Sequence, residues 1–377
     1  MSVLTGTSQG RAWSPREPLT GHRHGETWLI DVLDADDQII GTLDGVTGGS
    51  LDFSIHTEIR SSGTLTVTDP SRVDWHRVRL AIRYEYLDAT GQRHSHPLGV
   101  FLPTTPGTRH SDVGASADVD LYDKMSLLST DAAASTWSVD AGTTVVDAVT
   151  EVLASVGESR IVGPDDGGGA LTAPMVWEPG TTKLRIVNDV LDAGNFFSLW
   201  VDGEGVWQLQ PYTAPTARGV AWEHVSGAGA IFEAEFEHEA DGWAIPNVVV
   251  IVGKPERDED GDELPPAVGV ARNDRPDDPF STVGRGRDIV VTEEDQDATS
   301  EAVLGQIAAR RLLELSSVTS TYEISHAWLP VDLNAAVRLR VPERDIDALC
   351  VLQAWSWSWS TDGVPGLVSS TLREVQE

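Results

Sequence analysis

Alternation of apolar and polar residues with a period of two dominates both ends of this 377-residue chain. The first such region runs from Glu26 to about Gly114 and contains the segments TWLIDVL, SLDFSIHT, GTLTVTD, RVRLAIRYEYL and HPLGVFL. The second region begins near Trp222 and contains AIFEAEFEHE, PNVVVIVG, TYEISHAWL and ALCVLQAWSWSWS. Because successive side chains of a strand point to opposite faces, this pattern predicts half-buried strands. Short strands separated by Gly, Asp and Pro are typical of small antiparallel barrels or sandwiches, and the first region has room for about five or six of them.

Residues 115–221 show a different pattern, in which helical periods occur among short strands. In TTVVDAVTEVLASVG, Thr143 or Thr144 is a candidate N-cap, and Gly157 is positioned to end the helix. The valines between them recur at helical spacing and predict one apolar face. These residues therefore predict an α+β region.

A second helix and a hairpin are expected in the same region. Thr181 or Thr182 opens the helix and Gly194 ends it. The run Asp202-Gly203-Glu204-Gly205 then joins FFSLWV to VWQLQPY and is a strong hairpin signal.

The fold class expected from these patterns is mainly β with α+β inserts: two antiparallel β domains, the first a barrel or a sandwich, joined by an α+β domain. The expected parts are an N-terminal arm (1–25), a first β domain (26–114), an α+β domain (115–221), and a second β domain (222–377) with a helical insert near 297–316.

The charge of the chain excludes one class of function. With 27 Lys plus Arg against 59 Asp plus Glu, the formal net charge is −32. Tight, sequence-independent binding to nucleic acid needs cations that neutralise phosphates, so it is not expected here. The hydrophobic fraction of 40% is that of a folded protein, so we expect the acidity to lie on surfaces.

The sequence also shows no targeting signal and no pair of cysteines. The N-terminus has no apolar core of a secretory signal, and the aliphatic run Val248–Val252 is far shorter than the roughly 18 residues of a spanning helix. We therefore expect synthesis in a cytoplasm and no stable membrane insertion. The single cysteine, Cys350, cannot form an internal disulfide.

The first 25 residues form a slightly cationic arm on an anionic chain. Arg11, Arg16 and Arg23 stand against the single acidic residue Glu17 before the first predicted strand. Two interpretations remain open, namely a frayed terminus and an arm that docks on an acidic neighbouring subunit.

The sequence contains no motif that predicts catalysis or metal binding. The common nucleotide-binding, nucleophile-elbow and zinc-protease signatures are absent from the sequence. The pairs His22 with His24 and His94 with His96 lack further ligands at zinc spacing, so solvated loop histidines are the favoured interpretation. The acidic run 258–263 lacks the Gly and Glu positions of a calcium loop, and a solvated turn is expected there. We expect no enzyme activity, no cofactor and no metal.

The most unusual local feature is a ladder of three tryptophans near the C-terminus. Trp355, Trp357 and Trp359 alternate with serines, so a strand would place all three indoles on one face. Indoles bury large areas and favour interfaces, which favours core packing or a subunit seam, and a sugar-stacking platform is the alternative.

The order of several short segments, more than any one site, resembles the baseplate hub, or minor tail, proteins of long-tailed bacteriophages, particularly those infecting actinobacteria. The segments are WEPGTTKL at 177–184, LWVDG at 199–203, IPNVVV at 245–250 leading to Gly253, and DPFS at 278–281. The resemblance covers about residues 26–375. The segment LNAAV at 333–337 departs from it, because such proteins often have a Gly-Asp turn there.

This resemblance implies a structural virion protein at the tail tip. It implies that the two β domains are tail-tube-like, and that a homotrimer forms a ring of six barrels which adapts the sixfold tail tube to a threefold tip. The implied partners are the distal tail protein ring, the tape measure protein, and tail fibre or tip spike proteins, with viral DNA passing through without specific binding. The alternative function is a cell-wall glycan-binding or glycan-hydrolysing tail protein.

Overall fold

The computed structural model describes residues 24–112, 114–240, 245–253, 265–296, 301–315, 320–360 and 366–375. The chain divides into two compact units. The first unit comprises Met1–Phe236 and Glu323–Leu372, and the second comprises Glu237–Tyr322 and Arg373–Glu377.

The N-terminal β region contains eight described strands. They are β1 (His24–Leu33), β2 (Ile39–Thr42), β3 (Val46–Ser54), β4 (Ser61–Thr68), β5 (Arg79–Leu87), β6 (Arg93–Pro103), β7 (Thr108–Ser111) and β8 (Gly114–Asp123).

The middle of the chain mixes helices with short strands. The elements are α1 (Met125–Thr130), β9 (Trp137–Val139), α2 (Val145–Ser155), β10 (Ile161–Val162), β11 (Met175–Trp177), α3 (Lys183–Ala193), β12 (Trp200–Val201), β13 (Trp207–Gln208) and β14 (Val220–Val225).

The remaining elements are again mostly strands. They are β15 (Glu237–Ala240), β16 (Val248–Gly253), β17 (Val268–Arg272), α4 (Thr282–Arg285), β18 (Val290–Gln296), α5 (Glu301–Leu315), β19 (Ser320–His326), β20 (Ala336–Val341), β21 (Ile346–Ser360) and β22 (Val368–Glu374). Short 3₁₀ helices lie at Pro70–Arg72, Pro215–Ala217 and Pro342–Arg344.

One continuous sheet unites the two β regions within the first unit. Its strand order includes β19-β22-β21-β3-β4-β8-β6-β5-β1-β2, and β20 joins β21 to β14. The link between the regions is β21, whose second half pairs antiparallel with β3 from Ala354 opposite Ser54 to Ser360 opposite Gly48. The described strands follow an open order. The mainly β fold with antiparallel sheets is confirmed, and two tail-tube-like barrels remain a prediction.

The predicted helices of the middle region are confirmed. Thr144 caps α2, since its Oγ1 accepts a hydrogen bond from the Asp147 backbone N–H at 3.1 Å. Thr182 caps α3 in the same way, through the Arg185 N–H at 3.3 Å. The apolar faces of α2 and α3 contribute to one core with Trp207, which is fully buried.

The segments that resemble hub proteins have identifiable structural roles. Asp202 forms the predicted hairpin turn, where its Oδ1 accepts hydrogen bonds from the Glu204 and Val206 N–H groups. Asn247 is fully buried and accepts from the Ile289 N–H at 2.7 Å. At the departing segment 333–337, Asn334 adopts the left-handed conformation with φ 64°, which asparagine tolerates better than most residues other than glycine.

The second unit contains a three-stranded sheet covered by a helix. Strand β16 pairs antiparallel with β17 and parallel with β18. Helix α5 contributes Leu304 and Ala308 to a core with Val249 and Ile251 of β16, and all four side chains are fully buried. Helix α5 therefore lies where a helical insert was expected.

Candidate functional site

The tryptophan ladder lies at the seam between the two β regions. Strand β21 brings Trp355 onto Phe53 of β3, with ring centroids 3.9 Å apart and planes at 15°. Trp357 and Trp359 are only 3% and 6% exposed and belong to the core of the sheet. Trp28 of β1 contacts both of them, at centroid distances of 5.3 and 5.2 Å. We call these five aromatic residues the tryptophan seam.

For Trp357 and Trp359, burial favours packing over a sugar-stacking platform. Trp357 also donates its indole N–H to the Gly366 carbonyl at 2.7 Å, so its polar atom is satisfied inside the protein. A sugar-stacking platform needs exposed rings, and neither Trp357 nor Trp359 offers one. Only Trp355 of the ladder is half-buried.

The cationic arm with Arg11, Arg16 and Arg23 lies outside the described residues, as do His22 and the acidic run 258–263. Docking of the arm on a neighbouring subunit therefore stays a prediction.

His94 and His96 are placed differently from the solvated loop that the sequence favoured. Both lie on β6, and both rings stack on Tyr86 of β5, at centroid distances of 5.1 and 5.7 Å. The Nε2 atom of His94 is 2.9 Å from a carboxylate oxygen of Asp88. No group of three or more metal-ligating side chains suited to a metal ion occurs within the described residues.

A buried cluster of charges connects the large sheet to the α+β region of the first unit. Lys124 is fully buried, and its Nζ lies 2.8 Å from Asp37 Oδ2 and 2.5 Å from Glu158 Oε2. Arg79 bridges the other oxygens of the same two carboxylates, both at 2.7 Å. Arg160 completes the cluster at 3.2 Å from Asp37. We call these five residues the charge cluster.

Two cations of the charge cluster, Arg79 and Lys124, donate hydrogen bonds to Asp37 and stabilise its ionised form. Burial alone would raise the pKa of Asp37, but hydrogen bonds and charges from Lys124 and Arg79 lower it overall. Glu158 also accepts a hydrogen bond from the Trp207 indole at 2.9 Å, and Lys124 donates to the Gly205 carbonyl at 3.0 Å. The cluster therefore fixes the hairpin β12–β13 against strands of the large sheet.

Sequence reasoning did not single out Asp37, Lys124 or Glu158, although one signal was present. The chain has 27 cationic residues, of which only Lys124, Lys183 and Lys254 are lysines. Lys183 is also buried and lies 2.6 Å from Asp131. In this arginine-rich chain, both described lysines are buried with their ammonium groups against carboxylates, so the rarity of lysine is a usable indicator of such sites.

Two histidines of the C-terminal β region form a second buried polar group. The rings of His224 and His326 lie 5.1 Å apart, and both residues are less than 9% exposed. His326 Nε2 is 2.8 Å from Ser370 Oγ, whereas the buried His224 Nδ1 has no hydrogen-bond partner among the residues that the structure describes. Burial, and then the neighbouring His326, lower the pKa of His224 to about 3, so it is neutral at physiological pH.

A cavity of about 990 Å³ opens in the first unit. Its walls come from β3, β6, the β12–β13 hairpin and the segment 328–335. Partial desolvation at this wall raises the pKa of Asp332, although the residue is still exposed to solvent, and the charge of Asp202 raises it further. Arg60 and Arg218 also line the cavity.

No family model and no curated protein sequence matches this chain. Its fold is similar to that of a tail protein from Neisseria meningitidis MC58, with a TM-score of 0.62 and 15% identity over 92% of this chain and 96% of that one. It is also similar to the 43 kDa tail protein of prophage MuSo2 from Shewanella oneidensis, with a TM-score of 0.60 and 12% identity over 93% and 98% of the two chains.

A third similar structure belongs to a Francisella PdpA-VgrG complex, with a TM-score of 0.58 and 6% identity. It covers 94% of this chain and 59% of that one. At these identities the similarity establishes a shared fold. Within the described residues, no helix has the length and apolar character needed to cross a membrane.

Proposed function

We propose that this chain is a structural protein of a phage-type tail, incorporated at the tail tip as a hub. The support is a similarity of fold that covers 92% and 93% of this chain against two proteins described as tail proteins. The same comparisons cover 96% and 98% of those proteins, so the similarity extends to their whole architecture. No catalytic role is part of this proposal.

Three copies form the hub in this proposal, and each copy supplies two tail-tube-like β modules to a ring of six. The observation that supports this step is the pairing of β21 with β3, which places the first and last thirds of the chain side by side in one sheet. Such a chain can contribute two adjacent segments of a closed ring, so that three copies meet a sixfold tube on one face and a threefold tip on the other.

The neighbours of the hub in the virion follow from this position. The distal tail protein ring and the tape measure protein lie on the tube side, and tail fibre or tip spike proteins lie on the other. The arm with Arg11, Arg16 and Arg23 docks on an acidic surface of an adjacent subunit. Phages that infect actinobacteria remain the proposed source.

The acidity has a role in this proposal. A formal charge of −32 on each copy makes an anionic channel, which repels phosphate and allows DNA to pass without binding.

Electron microscopy of the assembled particle, together with light-scattering mass of the purified chain, tests the proposal. We expect a threefold ring with six β modules at the tail tip. A ring of another symmetry, or a single β module per copy, would contradict the hub. Neutral or basic residues along the channel would contradict only the role given to the acidity.

A further inference from the structure

The cavity of the first unit has the size and position of a ligand site. Its volume of about 990 Å³ is at the upper end of the usual range for small-molecule pockets. It lies where the large sheet, the β12–β13 hairpin and the segment 328–335 come together, and such junctions are frequent ligand sites.

Flat aromatic rings supply much of its apolar wall. Trp355 lines the cavity and is held in place by its stacking on Phe53. Trp200 and Phe197 line it as well, and both are half-buried. Rings fixed by packing offer faces on which the C–H face of a sugar ring can lie.

Two guanidinium groups of the cavity, those of Arg60 and Arg218, form no direct ion pair within the described residues, although the charge of Asp123 in the same cavity acts on Arg60. Arg60 donates to the Ser198 carbonyl at 3.3 Å. Arg218 donates to the Thr213 carbonyl at 2.9 Å and to Asn334 Oδ1 at 3.1 Å, and it stacks on Phe197 at 4.8 Å.

Several other arginines of this acidic chain are paired with carboxylates. Arg79, Arg93 and Arg272 each lie within 2.8 Å of an Asp or Glu oxygen. Burial lowers the pKa of Arg60, against the opposing charge of Asp123, and burial likewise lowers the pKa of Arg218. Two partly desolvated cations with neutral oxygen partners favour an incoming anionic group.

The acidic side chains of the cavity limit which anion fits. Four aspartates line it, Asp123, Asp165, Asp202 and Asp332, and they outnumber the two guanidiniums. This excess of negative charge, with the mutual repulsion of Asp202 and Asp332, disfavours a polyanion such as nucleic acid. The same carboxylates, with the amides of Gln210 and Asn334, are suitable partners for hydroxyl groups.

We infer that this cavity binds a saccharide that carries a carboxylate. The acid group pairs with the cavity guanidiniums, the sugar faces pack on Trp355 and Trp200, and the hydroxyl groups bond to Asp202 and Asp332. This inference does not depend on the proposed place of the chain in a tail, and it leaves the role of the tryptophan seam unchanged.

The test is binding of defined probes to the purified full-length chain, followed by tryptophan fluorescence and calorimetry. The probes are trigalacturonate and sialyllactose as carboxylated saccharides, maltotriose as a neutral saccharide, and pentaglutamate as an acidic peptide. We expect a carboxylated saccharide to bind at millimolar concentration or below, and at least about tenfold more tightly than maltotriose.

Variants locate the binding. Arg218→Met is expected to weaken binding of the carboxylated saccharide at least about tenfold, which corresponds to the loss of a charge-assisted pair. Arg344→Met is the matched control, because Arg344 also donates to a backbone carbonyl and stacks on a phenylalanine, Phe236 at 4.9 Å, but does not line the cavity.

A variant that is expected to bind more tightly is also needed, because misfolding could explain a loss of binding but not a gain. Asp332→Asn removes a negative charge from the cavity and is expected to tighten binding of the carboxylated saccharide several-fold without a matching effect on maltotriose. Equal binding of maltotriose, binding of pentaglutamate alone, or no binding of either carboxylated saccharide would overturn the inference.

Discussion

The indole rings of Trp28 and Trp359 are stacked with their planes 8° apart and their centroids 5.2 Å apart, although the two residues come from opposite ends of the chain. Trp357 contacts Trp28 at 5.3 Å and Tyr84 at 4.8 Å in the same core. The two β regions therefore share one apolar core as well as one sheet. Burial of Trp357 and Trp359 therefore depends in part on Trp28 of the other region.

Loss of an indole from this shared core should destabilise the protein strongly. We expect Trp359→Ala to lower the free energy of unfolding by about 3–5 kcal/mol, because it removes a large buried side chain and leaves a cavity. Urea unfolding followed by circular dichroism measures the change. Ser358→Ala, on the exposed face of the same strand, is the control and should change the free energy by less than about 0.5 kcal/mol. Equal effects of the two variants would contradict a shared core.

The charge cluster makes a second prediction. Lys124→Met leaves Asp37 and Glu158 buried without the ammonium between them, and we expect a loss of about 3–5 kcal/mol in the free energy of unfolding. The control is Arg77→Met, since Arg77 and Asp74 form an ion pair that is 85% and 61% exposed and is worth less than about 1 kcal/mol. A small effect of Lys124→Met in denaturant unfolding would mean that Arg79 and Arg160 alone neutralise the cluster.

The sequence predicts local structure far better than it predicts which distant strands pair. The alternation of β21 and the caps Thr144 and Thr182 depend on neighbouring residues, so they are visible in the sequence. The pairing of β21 with β3 joins residues about three hundred positions apart, and no local pattern specifies it.

The candidate sites show the same limit. Cations and carboxylates are numerous in this chain, so the convergence of Asp37, Lys124 and Glu158 arises only from the tertiary fold. The placement of Arg60 and Arg218 in one cavity likewise depends on segments that are distant in the sequence. The scarcity of lysine indicates Lys124, but no comparable signal indicates the carboxylates or the arginines of these sites.

The buried histidine pair predicts how stability depends on pH. The pKa of His224 is lowered to about 3 in the folded protein, and histidine in an unfolded chain titrates near 6.5. The unfolded state therefore binds the additional proton between these values, so this contribution to stability is complete above about pH 6.5 and is lost as the pH falls toward 3. Between these two pKa values, the free energy of unfolding falls by at most about 1.4 kcal/mol for each unit of decrease in pH.

His224→Leu removes this titrating group and isolates its contribution. We expect the unfolding free energy of the wild-type protein to fall relative to that of the variant as the pH falls from 7 to 4.5. Denaturant unfolding at several pH values measures it. The exposed His110→Leu is the control and should give a difference that stays nearly constant over this range. A constant difference for His224→Leu would show that His224 is not held neutral.

Two glycines of the second unit make the last prediction, because they differ in what a methyl group would meet. A Cβ on Gly269 of β17 would lie 2.1 Å from the backbone carbonyl carbon of Leu304, so α5 packs directly on this strand. A Cβ on Gly305 of α5 would meet nothing within 4 Å. Gly269→Ala must displace the helix backbone and should cost about 1–3 kcal/mol through overpacking. Gly305→Ala should instead stabilise the helix by about 0.5–1 kcal/mol, since alanine loses less conformational entropy there. Hydrogen exchange of α5 amides reports both changes in the full-length chain, and faster exchange in Gly305→Ala or unchanged exchange in Gly269→Ala would contradict this packing.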